Sequence, residues 1–439
     1  MEGERKTLTQ LSVPICLETL FYMLSGMVDT LMLSSVSDQA VGAVGTANTY
    51  IGVFIIMFGV ISSGMVAVMS QNIGAGKPGI AYQARQLGFV FNALTGILMS
   101  FILAAFSGWI LKIVSIAPAL LEPAETYLKI VGGASFLNAL IPIFSSYLRV
   151  FGYTKHSLIG TVVGNVINII LNSVFLFVFN WGVMGVAAAT VFSKVVNLII
   201  VAAMGAVLIK AKQSPERAQP RKILAQIVKI GFPSAFETAL YNVAMTFIVC
   251  FMNHMDTDGM NVTARSYAMQ IANFSYCVGA ALAQANAIMT GWRIGAKKYE
   301  ECDRGTRKAV IYGLVTATCF SVTFAITGRF IVHIFTNDIQ MIELVVKLLV
   351  VDIFLEFGRV TNLVYGQALK TSGDAIFPVI MGAIFMYLFA VGGTYFLGIH
   401  MGLLAVGAYI AMAGDECARA VGMVLRWKSG KWKSKSLVE

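Results

Sequence analysis

Asp29 is the residue of this sequence best placed to do chemistry. It stands with Pro14 and Glu18 in the stretch 12–35, SVPICLETLFYMLSGMVDTLMLSS. As a helix that stretch is long enough to cross a hydrocarbon core of about 30 Å. A carboxylate near the middle of such a helix costs about 2.5–3.5 kcal/mol on insertion scales, so it belongs against protein or water, where it can take up and release a proton or a cation. Pro14 removes one backbone hydrogen bond near the start of the helix and loosens it there. An ionisable group beside a bendable segment is what ion binding needs in order to move a helix. The plainer alternative is that Asp29 only bonds to polar neighbours.

The other intramembrane charges fall into pairs. Glu18 follows Pro14 by four residues and Glu237 follows Pro233 by four, which places each carboxylate about one turn further in, toward the cytoplasmic half. They are candidates for gating, for cation contact or for hydrogen bonds that close a bundle. Glu356 and Arg359 share a helix face, with Asp352 one turn before and Asn362 one turn after. Asp415, Glu416 and Arg419 are spaced for mutual neutralisation, and both groups read as internal ion pairs. Lys194 is too deep for snorkelling and is expected to pair with a carboxylate. Among the 22 methionines and many aromatics, most serve packing or lipid contact. Tyr22 and Tyr241, near the functional-looking acids, are the better candidates for substrate contact through soft, apolar surfaces. Asn261-Val262-Thr263 has the form of a glycosylation acceptor. No phosphate-binding GxxxxGK[ST], no HExxH and no nucleophile–base arrangement is present, so an enzyme is not expected, and no cofactor beyond a coupling ion.

The elements that position these residues follow from composition. The 439 residues are 57% hydrophobic and only 12% charged, which no soluble class matches. The expectation is an all-α polytopic membrane protein. Apolar windows bounded by charge, Gly or Pro give twelve helices near 12–35, 45–73, 87–110, 123–148, 157–180, 183–209, 224–253, 263–291, 308–329, 340–369, 376–398 and 402–426. The formal charge of +10 is a topology signal rather than a nucleic-acid one. Most Lys and Arg lie at the N-terminus, on the even-numbered connections and in the tail with Arg426, Lys428, Lys431, Lys433 and Lys435. The odd connections hold little beyond Asp38, Asp256 and Asp258. The positive-inside rule then puts both termini in the cytoplasm, and the plasma (inner) membrane is the expected location. The six scattered cysteines show no metal-ligand or CxxC spacing and read as small apolar residues.

The chain also repeats itself. Pro14-Ile15-Cys16-Leu17-Glu18-Thr19 matches Pro233-Ser234-Ala235-Phe236-Glu237-Thr238, and Ile73-Gly74-Ala75 matches Ile294-Gly295-Ala296. Leu148-Arg149 before Gly152 matches Leu369-Lys370 before Gly373, and the segment from Gly182 echoes that from Gly402, all at offsets of 219 to 221. Six spans per half make two parallel repeats. The expected division is an N-terminal bundle 1–209, a cytoplasmic linker 210–223, a C-terminal bundle 224–426 and a basic tail 427–439. Two similar six-helix bundles suit alternating access.

Taken together, GMVDTLMLSSVSD, AVGAVGTAN, SQNIGAG, LRxxGYTK and GVMGVAAAT in the first half resemble the MATE (multidrug and toxic compound extrusion) transporters. FPSAFET, IGAKK, ExxRxxN and ALKTSGD continue the resemblance through the second half. The resemblance implies twelve transmembrane helices and export of organic, often lipophilic cationic, small molecules in exchange for H+ or Na+. It implies a monomer in contact with membrane lipid. It places the coupling site at Asp29, with Asn168, Asn172 and Thr190 as further ligands. Asn172 stands where the family usually has a second carboxylate, which tilts the expectation toward protons over sodium. Arg359 stands in a region where other branches carry an acid, which argues against a cation site in the second half. Two other readings remain: a flippase or exporter of a lipid-linked or polar metabolite, favoured by a cavity ringed with arginines, and a channel or receptor.

Overall fold

The computed structural model describes residues 6–35, 37–113, 118–255 and 259–438; Arg5, Asp256 and Asp258 lie outside them. Among the described residues the regular structure is entirely helical. The chain divides into two compact units, 1–231 and 232–439.

The first unit holds α1 (Leu8–Ser34), α2 (Asp38–Gly74), α3 (Pro78–Ala105), α4 (Ser107–Ile113), α5 (Pro118–Tyr127), α6 (Phe136–Val150), α7 (Thr154–Ser173) and α8 (Gly182–Leu208). It also holds the first residues of α9 (Pro220–Asn253). The second unit holds the rest of α9, then α10 (Met260–Gly295), α11 (Tyr299–Val332), α12 (Ile339–Ser372), α13 (Ile376–Phe385) with its π-helical continuation to His400, and α14 (Leu404–Lys428).

These helices make twelve spans, six in each unit. Eight spans are apolar enough by themselves, and α5 with α6 forms a ninth that bends by 42°. The remaining three, α10, α12 and α14, are the helices that carry the buried charges of the second unit. Large apolar side chains such as Leu94, Val207, Ile326 and Phe330 point outward, as a lipid-facing surface requires.

Several of the observed helices are longer than the hydropathy windows. Helix α2 begins at 38 rather than 45, and α11 runs 299–332 rather than 308–329. Hydropathy sees only the part of a helix that lies in hydrocarbon, whereas the helix continues in water until a cap ends it. The fourth span, expected to be continuous, is broken. A π-helical turn at Leu128–Gly132 leads into Gly133, and the restart at Phe136 has its amide satisfied by Ser100 Oγ at 2.9 Å. A Gly pair beside a π turn is a recognised cause of a kink.

The two units use the same turns at matching places. Helix α2 ends with Gly76 N–H bonded to Ile73 O and Lys77 N–H to Asn72 O; α10 ends with Lys297 bonded to Ile294 and Lys298 to Arg293. Helices α6 and α12 end alike, through Gly152 and Gly373. Each is a helix stop with one left-handed residue. The φ values are +73° for Gly76, +85° for Gly152, +101° for Gly373 and +59° for Lys297.

The end of the chain is folded, and not only a charged tail. Trp432 is 1% exposed, stacks on Trp427 at 4.2 Å and donates from Nε1 to the Trp427 carbonyl. Trp427 in turn donates to Asp303 at 2.8 Å. Asn261, first residue of the acceptor-like tripeptide, is buried, and its Oδ1 accepts the Ala405 amide at the start of α14, so in the folded chain it serves as a structural link.

A left-handed L-residue costs about 1–2 kcal/mol, and at Gly373 a Cβ would also sit 2.2 Å from the Lys435 carbonyl oxygen. Gly373→Ala should therefore lower the thermal midpoint of the detergent-purified protein, and Lys297→Gly should raise it. Equal midpoints for both variants and the wild type would refute this account of the turns.

Candidate functional site

The first unit's candidate site is built where α1 packs along α7. One face of α7 carries Thr154, Ser157, Thr161, Asn165, Asn168 and Asn172, spaced three or four residues apart. All but Asn168 bond directly to α1. Thr154 Oγ1 donates to the Gln10 carbonyl at 3.3 Å, and this is the carbonyl that Pro14, four residues on, leaves without its helical donor. Ser157 Oγ donates to Glu18 at 3.0 Å, with Thr161 further off at 3.5 Å. Asn165 Nδ2 donates to the Phe21 carbonyl at 2.7 Å, and Asn172 Nδ2 to Asp29 Oδ1 at 2.6 Å. The adjoining face of α7 is small: Gly160 and Gly164 let it lie against Asn197 and Val201 of α8. Hydrocarbon supplies no hydrophobic drive between helices, so polar bonds on one side and close packing of small residues on the other hold α7 in place.

Around Asp29 the groups are mostly neutral. Asn172 Nδ2 also reaches Asn168 Oδ1 at 3.3 Å, while Asn172 Oδ1 is buried and has no donor. Thr190 donates to the Val186 carbonyl. Tyr127, buried at the end of α5, interacts with Thr190 and with Asn48 of α2 and lies in the field of Asp29. Lys194 lies within electrostatic reach of Asp29, yet its Nζ donates to Asn138 Oδ1 at 2.9 Å and forms no ion pair among the described residues. The expected lysine–carboxylate pair is thus replaced by a lysine–amide bond, because Asn138 of α6 stands nearer. Asp29, Asn168 and Asn172 are brought together; Thr190 joins them through Tyr127.

Glu18 and Glu237 are both committed to cations. Glu18 pairs with Arg149 at 2.7 Å and Glu237 with Lys370 at 2.5 Å. Arg149 and Lys370 are themselves repeat-equivalent, so each unit carries the same acid–base bond. Tyr22 is exposed on its unit, whereas Tyr241 lines a cavity of about 470 Å³ in the second unit.

In that unit, Glu356, Arg359, Asp415, Glu416 and Arg419 form a single network and not two separate pairs. Arg359 pairs with Glu356 and lies 3.8 Å from Glu416; Arg419 holds Asp415 at 2.6 Å and Glu416 at 3.0 Å; Asn362 donates to Glu416 at 2.9 Å. Gly358 makes this possible. A Cβ there would stand 2.6 Å from the Cys417 amide nitrogen, so only glycine lets α14 come close enough to α12 for the charges to meet.

Sequence reading missed Thr154, Ser157, Thr161, Asn165, Tyr127, Asn48 and Asn138. The signal for the first four was available: a polar stripe at helical spacing inside an apolar helix. Removing one partner of a buried pair costs about 3–5 kcal/mol because it strands the other charge. The Glu18 side chain is 9% exposed and that of Glu237 is 23%, so Arg149→Met should lower the thermal midpoint more than Lys370→Met. The double variant E18Q/R149M should recover part of the loss; no recovery in a thermal melt would count against the pairing.

The MatE family model matches residues 14–174 and 233–396. The chain is 32% identical over 437 residues to the uncharacterized transporter YisQ of Bacillus subtilis, covering 98% of this chain and 96% of that one. It is 26% identical to a probable multidrug resistance protein NorM of Thermotoga maritima, covering 99% and 94%. Among solved structures, an outward-facing multidrug resistance MATE transporter of the MOP superfamily superimposes with a TM-score of 0.87 at 18% identity, covering 97% and 96%. A MATE structure in the bent conformation gives 0.89, covering 98% and 97%. These structures share the twelve-helix fold. The chain belongs to the MatE family of integral-membrane transporters and is not an enzyme.

Proposed function

We propose that the protein is a secondary antiporter that exports organic compounds across the plasma membrane by alternating access, with both termini in the cytoplasm. The observation that carries this reading is the Asp29–Asn172–Asn168 cluster. A single carboxylate on the proline-containing helix α1 is held by a 2.6 Å bond from α7, beside a buried amide oxygen that lacks a donor. A proton or cation arriving at Asp29 neutralises the carboxylate and competes for its bond to Asn172, so loading the site frees α1 from α7 at that point. Pro14 gives the helix a place to yield. The acid–base bonds at Glu18 and Glu237 act as closures, and the coupling ion is H+ in preference to Na+, because a single formal charge suits a proton better than a hard cation. For a neutral substrate, one charge moving down about 100 mV supplies about 2.3 kcal/mol, roughly fortyfold accumulation without nucleotide hydrolysis; a monovalent cation exchanged one for one moves no net charge and draws on the pH gradient instead, about 1.4 kcal/mol per unit. Relatives named as multidrug resistance proteins support the export of organic compounds; lipophilic cations are the substrate class proposed for this chain.

The second unit's cavity supports a second reading. Arg265, Arg359, Lys370 and Arg419 line it together with Glu237, Asp352 and Glu416, a basic and polar lining that suits export of an anionic or polar metabolite.

Reconstituted liposomes with separate proton and sodium gradients test the coupling. Asp29→Asn is expected to abolish gradient-driven accumulation of a cationic dye, and full activity in that variant would overturn the antiport reading. Asn172→Asp places a second carboxylate beside the first and is expected to make transport respond to a sodium gradient. Replacing the cationic dye with an anionic one in the same liposomes separates the two substrate readings.

A further inference from the structure

Seven charged side chains line the cavity of the second unit, and five of them are neutralised by protein partners. Glu237 is held by Lys370, and Arg359, Glu416 and Arg419 belong to the network described above. The two that remain are Arg265 of α10 and Asp352 of α12. Arg265 is 8% exposed, yet among the described residues it has no carboxylate partner. Its Nη2 reaches only the Met245 sulfur at 3.7 Å, and its Nε has no acceptor. Asp352 is 3% exposed and forms no ion pair or hydrogen bond among the described residues; the neighbouring Arg359 is committed to Glu356 and Glu416. Tyr409 is within electrostatic reach of both.

Burying a guanidinium against a thioether, a weak acceptor, is unfavourable unless something else completes its shell. A purely cationic ligand would leave Arg265 unsatisfied and repelled, and a purely anionic one would do the same to Asp352. Only a ligand with both signs completes the two together. The volume of about 470 Å³ falls in the range that encloses drug-sized molecules, and Met269, Tyr276 and Met412 give it soft apolar walls. We propose that this cavity binds a small zwitterionic amphiphile, with its carboxylate on Arg265, its cationic group at Asp352 and its apolar body against the methionines. The inference rests on the export reading only for what binding accomplishes; the site itself is independent of Asp29.

Three probes on one xanthene scaffold test it by fluorescence polarisation with the full-length protein in detergent: rhodamine 110, which carries a carboxylate and a cationic ring system; its methyl ester, which is cationic only; and fluorescein, which is anionic. The wild type is expected to bind rhodamine 110 about tenfold more tightly than either of the others. Arg265→Gln should bring rhodamine 110 down to the level of the ester without weakening the ester. Arg265→Lys should fall between, and Asp352→Asn should weaken rhodamine 110 and the ester but not fluorescein. The proposal is overturned if the wild type binds ester and acid equally, or if Arg265→Gln leaves their ratio unchanged. Should Arg265→Gln fail to fold, the wild-type ratio with Arg265→Lys and Asp352→Asn decides. Because no gradient is applied, the acid-to-ester affinity ratio is read without transport, so a failure of recognition here and a failure of coupling in the liposomes are seen separately.

Discussion

The bond between α1 and α7 is the contact on which the first unit depends. A helix with two acids and a proline is a poor membrane segment by itself, and nothing in hydrocarbon draws it to a neighbour. What fixes it is a row of hydroxyls and amides on α7, each matched to a group that α1 cannot satisfy internally: the Gln10 carbonyl orphaned by Pro14, the Glu18 carboxylate, the Phe21 carbonyl and Asp29. Of the two acids in the row, Glu18 is paired with Arg149, whereas Asp29 forms no ion pair among the described residues and is held by Asn172; a change in its protonation therefore alters one bond of the row and leaves the others standing.

The second unit solves the same topological problem with different electrostatics. It shares the turns and the closing acid–base bond of the first, but its interior is dense with paired charge. Glu356, Glu416 and Asp415 share Arg359 and Arg419 across α12 and α14, and the close approach at Gly358 makes that possible. These acids are tied to arginines, whereas Asp29 of the first unit forms no ion pair among the described residues and is held by an amide instead. The repeat thus preserves scaffold while chemistry diverges.

Much of this was legible in the sequence because the bilayer imposes simple rules. Span number and the six-helix repeat followed from apolar length and from recurring motifs, and Asp29 stood out as an acid within an apolar run. The repeat even anticipated that Arg149 and Lys370 occupy equivalent places, although not that they bind Glu18 and Glu237. Helix ends were too short because hydropathy is blind to helix in water. The break after Gly132 was missed because a Gly pair in an apolar run looks no different from a packing site. Lys194 was assigned a carboxylate because charge spacing along a sequence says nothing about an amide on another helix, such as Asn138. The merging of two ion pairs into one network, and the isolation of Arg265, depend on which helices touch, and that information is not carried by local pattern.

The distance along the chain between Asp29 and Asn172 has a consequence for biogenesis. Helix α1 is synthesised long before the residues that satisfy it: Glu18 waits for Arg149 of α6, and Asp29 waits for Asn172 of α7, at a cost of up to about 2.5–3.5 kcal/mol per acid on insertion scales. Until then the first helix is a marginal resident of the bilayer. A chain that stops before residue 154 holds α1 without any of its α7 bonds, so the late helix completes the early one.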